Sequence, residues 1–279
     1  MKEHKKYFIR LYSGTGNELF IYSFYKYLQR KFNLNIFLDI NSGIIQKFGT
    51  NPEGTKLTLN NFNTNYKIAD NKYCYIGILG KVKRFIDKTL ISKSNYFTEN
   101  NFNINVKNIV NSNHRINYIE GYFQDIKFTN YSKKILRREI TLKKTNKYFY
   151  NLKKKINFKK SLCLGYRDFG YKDKLVFKKI DKILDNLNLK HKKIYIFTNN
   201  MNKLLINSKN LKRNKFEEVK FNFKKNSTQA LDLMTNFNTF IIGSSTFHWW
   251  GAYLSNNTKI IYLTNNIHKS IKTSKMKLI

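Results

Sequence analysis

The segment Ile241-Ile242-Gly243-Ser244-Ser245-Thr246-Phe247-His248-Trp249-Trp250-Gly251-Ala252-Tyr253-Leu254 constrains the fold more than any other. It reads as an apolar strand, then a turn of small hydroxyl residues, then a helix that carries both tryptophans. An uninterrupted apolar strand followed by a helix is the repeating half of a parallel sheet covered on both faces. The turn also brings backbone N–H groups and the positive end of a helix dipole to one point, which suits an anion. The plainer reading has the hydroxyls capping the helix and the tryptophans filling the core, one of them flanking a pocket.

The same rhythm runs through the second half. Residues 161–166, 194–198, 239–243 and 259–263 read as strands, the last of these as the final one. Helices are expected over 173–187, from about 200, over 227–237 with Ser227 as N-cap, and over 247–255. Strands alternating with helices imply an α/β fold with parallel sheets. Ligands bind such sheets beyond the carboxyl ends of the strands. Tyr166-Arg167, Thr198-Asn199-Asn200 and Ser244-Ser245-Thr246 each follow a strand, so they are expected to converge on one crevice.

The first segment predicts a βαβ unit: strand 7–12, a Gly14-x-Gly16 loop, helix 17–31 ending at Asn33, and strand 35–39. Leu19 stands where a dinucleotide fingerprint needs its third glycine, and no Gly-Lys-Ser/Thr follows, which excludes a P-loop. Residues 40–115, with the only proline (Pro52), predict loops and short helices such as the amphipathic run from Tyr75 to Ile91. Residues 116–128 read as a short strand and turn. The Lys-rich stretch 131–158 predicts one helix bridging two lobes.

Four segments carry a resemblance. Ser13-Gly14-Thr15-Gly16-Asn17-Glu18-Leu19-Phe20-Ile21-Tyr22-Ser23 resembles Gly-Gly-Leu-Gly-Asn-Gln-Leu-Phe-Gln-Tyr-Ala of the α-1,2-fucosyltransferases, glycosyltransferase family eleven. Gly121-Tyr122-Phe123-Gln124 is similar to that family's Gly-Tyr-Phe-Gln, and Ile194 to Asn200 to its Phe-Tyr-Ile-Phe-Ser-Asp-Asp. Ser244-Ser245-x-Phe247-x-Trp249-Trp250-Gly251-Ala252, preceded by Ala230-Leu231-Asp232-Leu233-Met234, resembles its C-terminal signature. The resemblance implies a GT-B-like fold: two Rossmann-like lobes with parallel sheets and a donor-binding crevice. Residues 1–145 would form the acceptor side and 146–279 the nucleotide-sugar donor side. It implies an inverting glycosyltransferase that moves fucose from GDP-fucose, or another sugar from a related GDP-sugar, to a hydroxyl of a bacterial surface glycan in lipopolysaccharide or capsule.

Three departures from the family pattern bear on the expected donor site. The family's His-x-Arg-Arg-Gly-Asp is Cys163-Leu164-Gly165-Tyr166-Arg167-Asp168 here, so Gly165 and Tyr166 hold the two Arg positions and Arg167 the Gly position. His248 replaces a Ser, and Asn199-Asn200 replace Asp-Asp. A second reading therefore keeps the fold and changes the nucleotide-sugar donor.

Cleaving a nucleotide-sugar bond builds negative charge on the β-phosphate, which an Arg, a metal or a helix N-terminus must meet. No Asp-x-Asp motif or carboxylate cluster is present, so metal-independent transfer without a cofactor is expected. Arg167 is the leading phosphate ligand, because its planar fork suits phosphate oxygens; the alternative is a solvated loop arginine. Asp168 is read as catalytic, or as a turn-forming carboxylate. Thr198, Asn199, Asn200, Asp232, Ser244, Ser245, Thr246 and His248 complete the expected donor site, His248 by adding partial positive charge. Gly14, Gly16, Asn17, Gln124 and Asp125 are expected on the cleft or acceptor side. Asn17 reads equally as a helix N-cap. The base for the acceptor hydroxyl is one of Asp168, Asp125 and Asp39.

Composition bounds the partners. With 53 Lys+Arg against 17 Asp+Glu, the 279-residue chain has a formal charge of +36. The basic residues are scattered rather than striped, and abundant Lys, Asn, Ile, Phe and Tyr fit drift in an AT-rich genome, so no specific nucleic-acid partner is expected. The rival of another class is a non-catalytic basic protein that binds lipid or nucleic acid. A basic surface fits an enzyme held against anionic membrane, acting on a glycan acceptor that is lipid-linked. Neither a signal peptide nor a transmembrane run is recognisable, and Cys74 and Cys163 form no redox or metal motif. A reducing, cytoplasmic setting at the inner face of the membrane is expected.

Overall fold

The computed structural model describes residues 5–43, 57–89, 95–170, 174–187, 193–265 and 267–278. Pro52 and Ile91 lie outside them. The chain divides into two compact units, Met1–Thr141 and Leu142–Ile279.

Unit 1 contains β1 (Lys6–Arg10), α1 (Thr15–Phe32), β2 (Ile36–Asp39), α2 (Gly77–Thr89), β3 (Tyr96–Thr98), α3 (Val106–Val110), β4 (Ile116–Glu120) and α4 (Ile126–Glu139). Its strands pair in the order β2-β1-β4-β3, all parallel. The Tyr7-Phe8-Ile9 run of β1 is buried because both faces of the sheet are covered. On one side α1 packs against α4. Phe24 stacks on Phe123 with ring centroids 4.1 Å apart and meets Phe128 edge-on at 4.7 Å. The two helices are also joined by Glu139, which accepts hydrogen bonds from Tyr22 and, at 3.0 Å, from Lys26. The other face carries an aromatic layer of Phe8, Tyr75 and Tyr118 with Phe37, Tyr73 and Tyr96 packed against it.

Unit 2 contains α5 (Lys147–Lys155), β5 (Ser161–Tyr166), α6 (Lys174–Asn186), β6 (Lys193–Thr198), α7 (Met201–Asn207), α8 (Lys209–Lys212), β7 (Phe216–Glu218), α9 (Ser227–Met234), β8 (Thr239–Ile242), α10 (Thr246–Leu254), β9 (Ile260–Leu263) and β10 (Met276–Leu278). Its sheet is also parallel, in the order β10-β9-β8-β5-β6-β7. Every residue of the central β5 is buried. Leu162, Leu164, Ile194 and Ile196 form one core with Val176, Phe177, Ile180, Ile183 and Leu184 of α6. Each such side chain adds roughly 1.5–3 kcal/mol on burial. Both tryptophans are core: Trp249 stacks on Tyr253 at 4.5 Å and donates its indole N–H to the Ile271 carbonyl at 2.9 Å. Gly251 lets α10 approach α9, since a Cβ there would lie 2.8 Å from Met234.

The alternating strands and helices and the two parallel sheets are as expected from the sequence. Three short edge strands are not. β3 and β7 were hidden in polar surroundings, and β10 follows the strand expected to be last. The stretch 131–158 is not one helix: α4 stops at Ile140, and Asn146 starts α5 by accepting from the Phe149 N–H at 3.0 Å.

Candidate active site

The carboxyl ends of β5, β8 and β9 enclose a cavity of about 130 Å³ in unit 2, lined by Tyr166, Arg167, Phe169, Val176, Gly243, Ser244, Ser245, Thr264 and Asn265. Arg167, Ser244 and Ser245 are thus brought together. The Arg167 guanidinium carbon lies over the Phe223 ring, 3.7 Å from its centroid. Burial pulls its pKa down, and the charge of Asp168 opposes that pull. Ser245 is the N-cap residue of α10, but its hydroxyl makes no capping hydrogen bond. Its side chain therefore does not compete for the first N–H groups of the helix, and the dipole's positive end meets the cavity through the Ser244-Ser245-Thr246 turn. Thr246 opens the helix half-buried.

Asp168 holds the loop after β5 to the loop after β6. Its carboxylate accepts from Lys203 Nζ (2.7 Å), the Gly170 N–H (2.9 Å) and Asn200 Nδ2 (2.8 Å). Asn199 completes the tie by pairing with the Asp168 main chain, accepting at 2.8 Å and donating at 2.9 Å. The Lys203 hydrogen bond leads in holding the Asp168 carboxyl below the usual range, against the opposing effect of burial. Asn200 also caps α7 by accepting from the Lys203 N–H at 3.0 Å, and the Thr198 hydroxyl accepts from the Asn200 N–H at 3.1 Å. These residues adjoin Arg167 in the same loop layer.

His248 and Asp232 do not take the places expected of them. His248 is fully buried beneath β5, and burial, then the charge of Arg167, pushes its pKa down to about 3. The ring is neutral at ordinary pH and lends no positive charge. Neither ring nitrogen forms a well-shaped hydrogen bond, and the Phe197 main chain exerts only a weaker opposing pull. Asp232 does not line the cavity; its carboxylate pairs with Lys153 of α5 at 3.1 Å.

In unit 1 the loops after β1 and β4 are stitched together. Gln124 Nε2 donates to Asn17 Oδ1 at 3.1 Å, and Asn17 Nδ2 donates to Ser13 Oγ at 2.9 Å. Asn17 is not the N-cap of α1; Gly14 is, and the helix already includes Gly16. The residue with positive φ in this loop is Ser13, at 78°. Phe123 also has positive φ (54°) and is buried against α1, while the Tyr122 and Phe123 N–H groups donate to Glu99 at 2.7 and 3.0 Å. Gly121 is required there, because a Cβ would lie 2.5 Å from the Glu99 side chain. Asp125 caps α4 through the Lys127 N–H at 2.8 Å. Asp39 is buried, accepting from the Ser42 N–H at 2.9 Å and from the Tyr118 hydroxyl.

Sequence reasoning missed several residues here. Thr264 and Asn265 follow β9, so the rule that selected Arg167 also selects them. Glu120, at the end of β4, accepts from both Arg84 (2.8 Å) and Tyr96 (2.5 Å). Burial works against its ionisation, but Tyr96, Arg10 and Arg84 together hold its carboxyl below the usual range. Glu18 is wholly buried, and its carboxylate accepts from the Thr58 N–H and hydroxyl and the Leu59 N–H. Burial outweighs those bonds and raises its pKa to about 7. Among the described residues no three His, Cys, Asp or Glu side chains are grouped to hold a metal ion.

Comparison with known proteins converges on the same fold. The chain is similar to fucosyltransferase NodZ from Bradyrhizobium, at 12% identity over 93% of this chain and 95% of that one, with a TM-score of 0.53. It is also similar to NodZ α-1,6-fucosyltransferase co-crystallised with GDP, at 13% identity over 93% and 94% of the two chains and a TM-score of 0.53. The Arabidopsis thaliana FUT1 mutant in complex with GDP aligns at 10% identity over 94% and 70%, with a TM-score of 0.51. These likenesses show a GT-B-like fold. No curated protein sequence matches the chain. The profile of glycosyl transferase family 11, however, matches residues 81–277, a span that includes Gly121 to Gln124, the loops after β5 and β6, and the Ser244-Ser245-Thr246 turn; the chain belongs to that family.

Proposed function

We propose that this glycosyltransferase moves fucose from GDP-fucose to a glycan hydroxyl, with inversion and an α-1,2 linkage. The carrying observation is the cavity where Arg167 meets the uncapped turn of α10. In this reading unit 2 holds the donor and unit 1 the acceptor. The diphosphate lies at the Ser244-Ser245-Thr246 turn, accepting from helix N-terminal N–H groups, and Arg167 meets the charge that grows on the β-phosphate as the glycosidic bond breaks. Asp168 is a positioning residue: with three donors on a depressed carboxyl, it fixes the Arg167 loop instead of taking a proton. GDP in complexes of structurally similar proteins supports a guanine nucleotide donor. The basic surface supports attachment to anionic lipid, and hence a lipid-linked surface glycan as acceptor.

A second reading, with the same fold and another nucleotide-sugar donor, is favoured by Gly165 and Tyr166 at the family's two Arg positions. Thermal stabilisation by GDP, UDP, ADP and CMP separates the two. A ligand at a hundred times its Kd adds about 2.7 kcal/mol. Stabilisation by GDP alone, then transfer from GDP-fucose with the linkage read by NMR, is the expected result. Selective stabilisation by UDP would overturn the fucosyl reading.

A further inference from the structure

α2 is built inside out. Its protein-facing side is polar: Arg84 donates to both Glu120 oxygens at 2.8 Å, Lys88 approaches Glu120 at 3.4 Å, and Asp87 accepts from the Tyr75 hydroxyl at 2.9 Å. Gly80 lets the first turn of the helix close on the chain that leads into it, since a Cβ would lie 2.4 Å from the Tyr75 main chain. The outward side is apolar. Ile78, Val82 and Phe85 recur at i, i+4 and i+7 and are 78%, 51% and 61% exposed; Leu79 beside them is 84% exposed, and Ile76 precedes the helix at 43%. The part-buried ion pairs to Glu120 and the Asp87–Tyr75 hydrogen bond hold the polar side inward and leave this stripe outward. Lys81 and Lys83 fall on its two flanks by helical spacing.

We propose that α2 is the element by which this protein docks on an anionic membrane surface, its apolar stripe entering the headgroup boundary and its flanking lysines meeting lipid phosphates. The inference rests on the membrane-attachment reading given under the proposed function, and names the surface responsible. An amphipathic helix with an apolar face and basic flanks lies in the plane of such an interface. A contiguous apolar patch of this kind marks an interaction surface. Charge selects the occupant. A second copy of the chain would bring lysine-flanked patches and two formal charges of +36 together, whereas anionic lipid complements them. No described helix is long and apolar enough to cross a membrane, so attachment through α2 is lateral.

The test is co-sedimentation with vesicles of pure phosphatidylcholine and of equimolar phosphatidylcholine and phosphatidylglycerol. The wild-type chain should partition onto the anionic vesicles. Leu79→Ser with Phe85→Ser should weaken partitioning about tenfold or more with the melting temperature unchanged, because neither side chain is in the core. Lys81→Glu with Lys83→Glu should weaken it several-fold per charge. Phe85→Trp, read as difference emission over the two buried tryptophans, should shift to the blue on anionic vesicles only. Unchanged partitioning of the Leu79→Ser, Phe85→Ser chain would overturn the assignment to α2 and leave attachment to the general basic surface. Failure of the wild type to bind anionic vesicles would overturn both, while sugar transfer to a soluble acceptor is scored separately. A dimer in sedimentation velocity that those two substitutions dissociate would also overturn it, giving the stripe to a second copy.

Discussion

The imidazole of His248 fills the space that a side chain at position 165 would need: a Cβ built on Gly165 lies 2.6 Å from His248 Cγ. Gly165 and His248, both differing from the pattern the chain resembles, thus share one space. Gly165→Ala should cost about 1–3 kcal/mol through overpacking. In combination with His248→Ser much of that loss should return. Denaturant unfolding of the two single variants and the double variant checks this, and additive losses would deny the coupling.

Arg167→Ala should lower turnover about 10²–10³-fold, the scale of one transition-state charge contact. Its melting temperature should change little, since Arg167 is half-buried at the cavity and not within the core. Steady-state rates on the folded variant decide; near-wild-type turnover would return Arg167 to a surface role.

Ser245→Leu should block the donor, with acceptor affinity intact. Ser245→Ala should cost little stability, because the hydroxyl makes no capping bond. Donor affinity and melting temperature measured on both variants separate a binding turn from a structural cap. A large drop in melting temperature for Ser245→Ala would favour the cap.

Two buried groups give stability opposite pH slopes. His248 has a folded pKa of about 3, below its unfolded value near 6.5, so its unfolded form takes the proton and stability falls as pH drops below about 6.5. Glu18 is raised to about 7 from 4.5, so the folded form holds the proton and stability falls as pH rises from 4.5 through 7. Each slope approaches about 1.4 kcal/mol per pH unit. Where they overlap they should nearly cancel. Glu18→Gln should expose the His248 slope and stabilise the chain near neutrality. Unfolding free energy measured between about pH 4 and 8 checks the sign.

Chelation with EDTA should leave transfer intact, because the sequence lacks an Asp-x-Asp motif and, in the proposed mechanism, Arg167 with α10 meets the charge. Loss of activity restored by Mn²⁺ would reject this.

Apolar periodicity made the two parallel sheets legible, because strands such as Leu162-Cys163-Leu164 are buried on both faces and carry no polar alternation. The edge strands were not legible. Phe216-Glu217-Glu218 pairs on one side only and needs no apolar face. The loop residues of the site were legible from their place after each strand. Their roles were not. Asp168, read as catalytic or turn-forming, accepts from Lys203; Asn200, read as donor-binding, accepts from the Lys203 N–H; and His248, read as lending partial positive charge at the donor, is core. A side chain's partners come from other parts of the chain, which spacing alone does not reveal.

The strand order of unit 1 also sets a schedule for synthesis. β1 pairs with β2 within about thirty residues, but its other neighbour aligns Lys6 with Ile116. While the ribosome makes the intervening segment, one edge of β1 stays open and α1 lacks α4 as its cover. The nascent unit cannot close before β4 and α4 emerge, so pauses in translation ahead of residue 116 prolong the interval in which its aromatic strands are open to wrong pairing.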